Sequence, residues 1–207
     1  MFLSQDDDTF MFYNRNHSEI NDSFVLSSAY GHEYVPSSKH IILYSFEGEI
    51  VVYDYLNKKV KNTKQIKNSF DDNSLSDCNG NVSNPPYLNK IIYNYLSPQT
   101  NEIFCALMNG LLISVSATNL KKKKLKTIHN GSVSDIKLSK FQIKSTNNLI
   151  TYGKDKHLKF ISTSDFNINY YIEMEQVLID YDSIQNDHKL VYINNTSKSL
   201  FYIDIKA

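Results

Sequence analysis

The sequence predicts an all-β chain built from a repeated four-stranded unit, and three observations carry that prediction. The composition favours strands: 207 residues include 15 Tyr and 11 Phe, with no Trp and many Ile and Val, types that suit a pleated, half-buried surface. A hairpin pattern, with an apolar strand, a polar tight turn and an alternating strand, recurs along the whole chain. Between the hairpins lie shorter segments alternating apolar and polar residues, as strands with one buried face do.

Taken in order, the first hairpin is MFLSQDDDTFMFYN (1–14), turning at Asp7-Asp8. FVLSSAY (24–30) alternates loosely and reads as the inner strand of the next unit, before the hairpin IILYSFEGEIVVYD (41–54) with its Glu47-Gly48 turn. Lys59–Ile66 follows as a polar outer strand, and polar outer strands guard a sheet edge against stray pairing. Residues 67–88 read as an inserted polar loop, rich in Asn and Ser and broken by Pro85-Pro86. The third unit joins IIYNYLSP (91–98), IFCALMNGLLISVS (103–116) turning at Asn109-Gly110, and the outer segment Lys124–His129. The fourth joins VSDIKLSK (133–140), LITYGKDKHLKFIS (149–162) turning at Asp155-Lys156, and Tyr170–Met174. VLIDYDSI (177–184) and LVYINNTSKSLFYID (190–204), turning at Ser197-Lys198, complete the series. Aligned on Tyr13, Tyr53, Val115, Ile161 and Ile203, successive hairpins lie 40, 62, 46 and 42 residues apart. One long interval among short ones is what a single inserted loop produces.

The best-formed unit, HNGSVSDIKLSKF…NNLITYGKDKHLKFISTSD (129–165), resembles the WD40-repeat family. The resemblance runs along the chain outside the inserted loop, and it rests more on period than on signature residues. His129, Thr151 and Asp155 match three family positions that form a buried hydrogen-bond chain. Ile161 and Ser162 stand where the family carries its closing Trp-Asp, and Tyr53-Asp54 comes nearest to that dipeptide. The resemblance implies a β-propeller of four-stranded blades over 1–207, acting as a scaffold in assemblies.

Packing physics agrees with that architecture. A lone four-stranded sheet exposes two apolar faces, and stacking sheets around an axis covers both. The count comes to about four and a half blades, where the family usually closes with seven. The expectation is a propeller completed by further blades, in a longer chain or in another subunit; the alternative is divergent blades within the segments read here as loops.

Chemistry is sparse. Lys+Arg and Asp+Glu are both 22, which argues against a generally basic nucleic-acid binder but not against a local patch. The six histidines stand in no metal-ligand spacing. The sequence has no nucleophile motif and no glycine-rich phosphate loop, and no catalytic, metal or cofactor site is expected. Cys78 and Cys105 are too few for a disulfide scaffold and fit a reducing intracellular setting, cytoplasm or nucleus. No apolar run reaches membrane-spanning length, and three aspartates stand in the opening where a secretory signal needs basic and then apolar residues.

The candidate contact site is Lys121, Lys122, Lys123, Lys124 and Lys126, placed between a hairpin and its outer strand. Together they could meet an acidic protein surface or RNA phosphates. Arg15 is the sole arginine, and no aromatics interleave with the lysines as a base-stacking site would want. The function expected is therefore a non-enzymatic scaffold with protein partners and no small-molecule substrate. The alternative is a ribonucleoprotein component touching RNA through the lysine edge.

Overall fold

The computed structural model describes residues 2–6, 8–13, 20–66, 87–185 and 188–205. They form five antiparallel sheets in which strand order follows chain order. Sheet one holds β1 (Phe2–Asp6), β2 (Thr9–Tyr13) and β3 (Ile20–Val25). Sheet two holds β4 (Ala29–Val35), β5 (His40–Ser45), β6 (Glu49–Asp54) and β7 (Lys59–Gln65). Sheet three holds β8 (Leu88–Tyr93), β9 (Glu102–Leu107), β10 (Leu111–Ser116) and β11 (Lys122–Thr127). Sheet four holds β12 (Val133–Leu138), β13 (Asn148–Gly153), β14 (His157–Ser162) and β15 (Ile168–Glu173). Sheet five holds β16 (Leu178–Ile184), β17 (Lys189–Asn194) and β18 (Leu200–Asp204). The fold is an all-β, propeller-type succession of blades.

The repeat is visible in small irregularities. The inner strands of sheets two to five all slip register near their start, between Ala29 and Gly31, Leu88 and Lys90, Val133 and Asp135, and Leu178 and Asp180. Such bulges twist the strand locally, and the shared position gives the blades a common twist. The hairpin turns repeat as well. One left-handed slot is filled in turn by Gly48, Gly110, Lys156 and Lys198. At Gly110 a side chain would run into the backbone oxygen of His129, so only glycine fits there.

Period-2 alternation gives each sheet two apolar faces, and the core is a series of seams between neighbouring sheets. Phe10 and Phe12 of sheet one meet Ile41, Leu43, Val51 and Tyr53 of sheet two. Ile42, Tyr44, Ile50 and Val52 meet Ile91, Ile103, Cys105 and Ile113 of sheet three. Phe104, Ala106 and Leu112 meet Ile136, Leu149 and Ile161 of sheet four. Ile150, Tyr152, Leu158 and Phe160 meet Leu178, Tyr181 and Leu190 of sheet five. Each fully buried side chain of this size contributes roughly 1.5–3 kcal/mol.

Several strand ends differ by a few residues from the sequence reading, and two differences matter most. Segment 24–30 is not an inner strand. Its front half ends β3, the outer strand of sheet one, and the chain turns at Ser28, which sits at φ 54°. Asp8 holds that turn, its carbonyl accepting from the Leu26 amide at 2.8 Å and its carboxylate from the Ser28 amide at 2.5 Å. The inner strand begins at Ala29 instead. The other difference is Leu88, which opens β8. The rest of the expected loop, 67–86, lies outside the described residues, as does Cys78.

Candidate functional site

Alternation of strand direction sorts the connections onto two rims. Inner strands run in the same sense around the fan. Lys90 near the start of β8 pairs with Asp135 near the start of β12 at 2.6 Å, and Asn147 after β12 reaches Ser97 after β8 at 3.1 Å. The first rim therefore carries loops 36–39, 55–58, 94–101, 117–121, 139–147, 163–167, and Gln185 with His188. The described residues of these loops include Lys39, Lys58, Lys121, Lys140 and Lys144, and one acid, Asp165. The second rim mixes Asp8, Glu47, Asp155 and Glu175 with Lys154, Lys156 and Lys198.

His129, Thr151 and Asp155 come together in sheet four and its second-rim loops. His129 Nδ1 lies 2.8 Å from Asp155 Oδ1, and Nε2 lies 2.9 Å from Thr151 Oγ1. Burial lowers the His129 pKa, more than the neighbouring carboxylate raises it. A neutral ring donating from Nδ1 to the carboxylate and accepting from the Thr151 hydroxyl satisfies both nitrogens. Burial raises the Asp155 pKa, but hydrogen bonds from His129 and from the Asn130 and His157 amides outweigh it and leave the carboxyl below its ordinary range. The amides donate at 3.1 and 3.2 Å.

Two members of this network carried no signal in the sequence. Lys159 donates from Nζ to Asp155 Oδ2 at 3.2 Å and to the Ile128 carbonyl at 2.6 Å. At Gly153 a side chain would collide with the imidazole, so the bare backbone makes room for the ring. Alternation alone placed Lys159 on β14, and nothing in it marked the side chain as reaching the turn. The network is confined to sheet four. Its Thr151 position, read from the strand register, is held by Leu43 in sheet two, Cys105 in sheet three and Tyr192 in sheet five. With His129 and Thr151 buried and Asp155 and Lys159 partly exposed, it fixes the turn.

The lysine run is mostly a strand, not a connecting loop. Only Lys121 lies in the loop, and β11 begins at Lys122. Alternation then divides the side chains between its two faces. Lys124 sits 3.0 Å from the buried Glu102 carboxylate, donates to the Thr163 carbonyl at 2.5 Å, and lies over the Phe104 and Phe166 rings. Lys126 donates to Asn167 Oδ1 at 3.0 Å, also toward sheet four. Lys123 points the other way, to the Thr100 carbonyl at 2.7 Å.

Cys105 is a free thiol in the seam, its pKa pushed up by burial. Among the described residues no three His, Cys, Asp or Glu side chains gather as a metal-holding group, and no helix is long and apolar enough to cross a membrane.

No family model matches the sequence, and no curated protein matches it. Among solved structures 1263 chains match, so the architecture is widespread and by itself carries no particular role. One is a chain in a crystal structure of a mitotic checkpoint complex, 12% identical, with a TM-score of 0.70. The match covers 97% of this chain and 57% of that one, so this chain spans little more than half the length of its structural neighbour.

Proposed function

We propose that the chain is a divergent WD40-type scaffold, non-enzymatic and intracellular, that docks other proteins through the loops of its rims. The observation that carries this reading is how its polar side chains are divided. Of those with catalytic potential, His129 and Cys105 are buried in the sheets and the turn residue Asp155 is tied up by hydrogen bonds, whereas exposed lysines stand on loops held by rigid strands. Loops on a rigid scaffold suit recognition. The structural neighbour, a chain of a multiprotein complex, is consistent with an assembly role. Against RNA contact through the lysine edge, Lys123, Lys124 and Lys126 are already engaged with protein oxygens. Lys124 spends its charge on Glu102, and the hydrogen bonds of Lys123 and Lys126 turn their ammonium groups toward the protein.

The test is affinity capture of the full chain from source cells, with cross-linking to map contacted residues. Cross-links from defined protein partners to rim lysines are expected, surviving nuclease treatment. Capture that disappears with nuclease, or turnover of a small molecule, would replace the scaffold reading.

A further inference from the structure

Loops 94–101 and 139–147 of the first rim converge with Gln185 and His188. Between them lies an open groove of about 740 Å³ whose lining includes Lys140, Lys144, Gln142 and His188 beside Leu96 and Phe141. Its wall is built rather than loose. The Asn147 side chain donates to the Leu96 carbonyl at 3.4 Å and to Ser97 Oγ at 3.1 Å. The Lys140 amide donates to Ser183 Oγ at 2.8 Å, tying sheet four to sheet five. Phe141 is buried and forms the apolar floor, its ring 5.8 Å from Phe160 and 5.1 Å from His188.

Among the described lining residues there is no carboxylate. Lys144 is exposed at φ 51° and holds no ion pair among the described residues, whereas Lys140 shares its charge with Asp182. Lys39, Lys58 and Lys121 extend the same sign along the rim. The groove thus offers cations, amide donors and a small apolar contact to whatever enters it. Its volume falls in the range of a ligand cleft that holds a few side chains. Extended peptides with alternating anchors use such clefts.

The geometry points to this groove as the docking site for an extended acidic segment of a partner protein, rich in Asp and Glu and carrying one apolar anchor. Charge complementarity selects the acid, and the exposed Leu96 selects the anchor. A peptide fits better than nucleic acid: Phe141 is too buried to be a stacking platform, and the cations are ammonium point charges without the guanidinium fork that reads phosphates and bases. The proposal rests on the scaffold reading and names the class of partner for one of its surfaces.

The experiment uses the full chain and a labelled peptide of about twelve residues, Asp and Glu around a central Leu, followed by fluorescence anisotropy. A peptide with Lys for every acid and an oligouridylate of equal length are the comparators. The acidic peptide is expected to bind alone among the three, with affinity falling several-fold as salt rises from about 50 to 200 mM. Lys144→Glu, on an exposed side chain that does not threaten folding, should weaken it about tenfold. Combining it with Lys140→Glu should weaken it further, while Lys154→Glu with Lys156→Glu on the second rim leaves it within about twofold. Absence of binding, equal binding by Lys144→Glu, or tighter binding of the oligouridylate through the same lysines would each overturn the proposal. Partners captured from cells that stay bound to the Lys144→Glu chain would remove the groove and leave the scaffold reading intact. Failure to capture any protein would remove the scaffold reading itself.

Discussion

Asp155 accepts from four groups at once, the His129 ring, the Asn130 and His157 amides and the Lys159 ammonium. Removing it leaves the buried His129 ring without its partner, and an unmet buried donor is dearer than a mean hydrogen bond is stabilising. Asp155→Ala should therefore destabilise the chain by about 1–3 kcal/mol in a urea melt, and Asp155→Asn, which keeps an acceptor, by less. A loss within a few tenths of a kcal/mol would show that the network does not hold the turn. The same residues set the response to acid. The folded Asp155 pKa lies below its ordinary 3.8, so as pH falls the unfolded chain takes the proton first. The stability Asp155 contributes is present above about pH 4 and is lost below it. The folded His129 pKa lies below its ordinary 6.5, so the unfolded chain also protonates first there, and stability begins to fall as pH drops through about 6.5. Melts at pH 7 and pH 5.5 should show this slope. It should be reduced in His129→Gln but not abolished, because burial lowers the His32 pKa too.

The β11 strand shows what a sequence pattern does and does not reveal about an element. Four consecutive lysines look like a solvated edge, yet Lys124 compensates the buried Glu102 carboxylate at 3.0 Å. Stripping one partner from a buried pair leaves an uncompensated charge. Lys124→Ala should cost about 2–4 kcal/mol, whereas Lys121→Ala, in the exposed loop, should stay within about 0.5 kcal/mol. Equal small effects would return Lys124 to the surface. The hairpins were legible because alternation and tight-turn residues survive in them, and so was the meeting of His129, Thr151 and Asp155, which the family resemblance implied. The boundary at 24–30 was not legible, for a physical reason. Here the left-handed turns that mark strand ends are filled mostly by residues other than glycine, among them Ser28, Lys39, Lys58, Leu120, Phe166 and His188. Such positions leave no compositional trace. The engaged lysines were hidden because their partners, Glu102, Thr163 and Asn167, come from other strands and loops.

Across the whole molecule, each blade stabilises the one before it by covering its forward face, and register makes the comparison position by position. Ile150, Tyr152, Leu158 and Phe160 on the forward face of sheet four correspond to Val191, Ile193, Leu200 and Tyr202 of sheet five. The first set is buried under sheet five, with Leu158 and Phe160 at 0% exposure, while Leu200 and Tyr202 stand at 66% and 68%. Among the described residues no apolar cluster joins sheet five to sheet one; the four seams each link consecutive sheets. Equivalent substitutions should therefore have unequal effects. Phe160→Ala opens a cavity inside a seam and should cost about 3–5 kcal/mol. Tyr202→Ala removes a mostly hydrated ring, held by the Lys189 ammonium 5.7 Å from its centre, and should cost about 1 kcal/mol or less. Urea melts of the two variants, with unchanged m-values as the check that the same transition is compared, measure the difference directly. Losses of equal size would mean that the forward face of sheet five is covered in solution, and that the seams continue past the last sheet described.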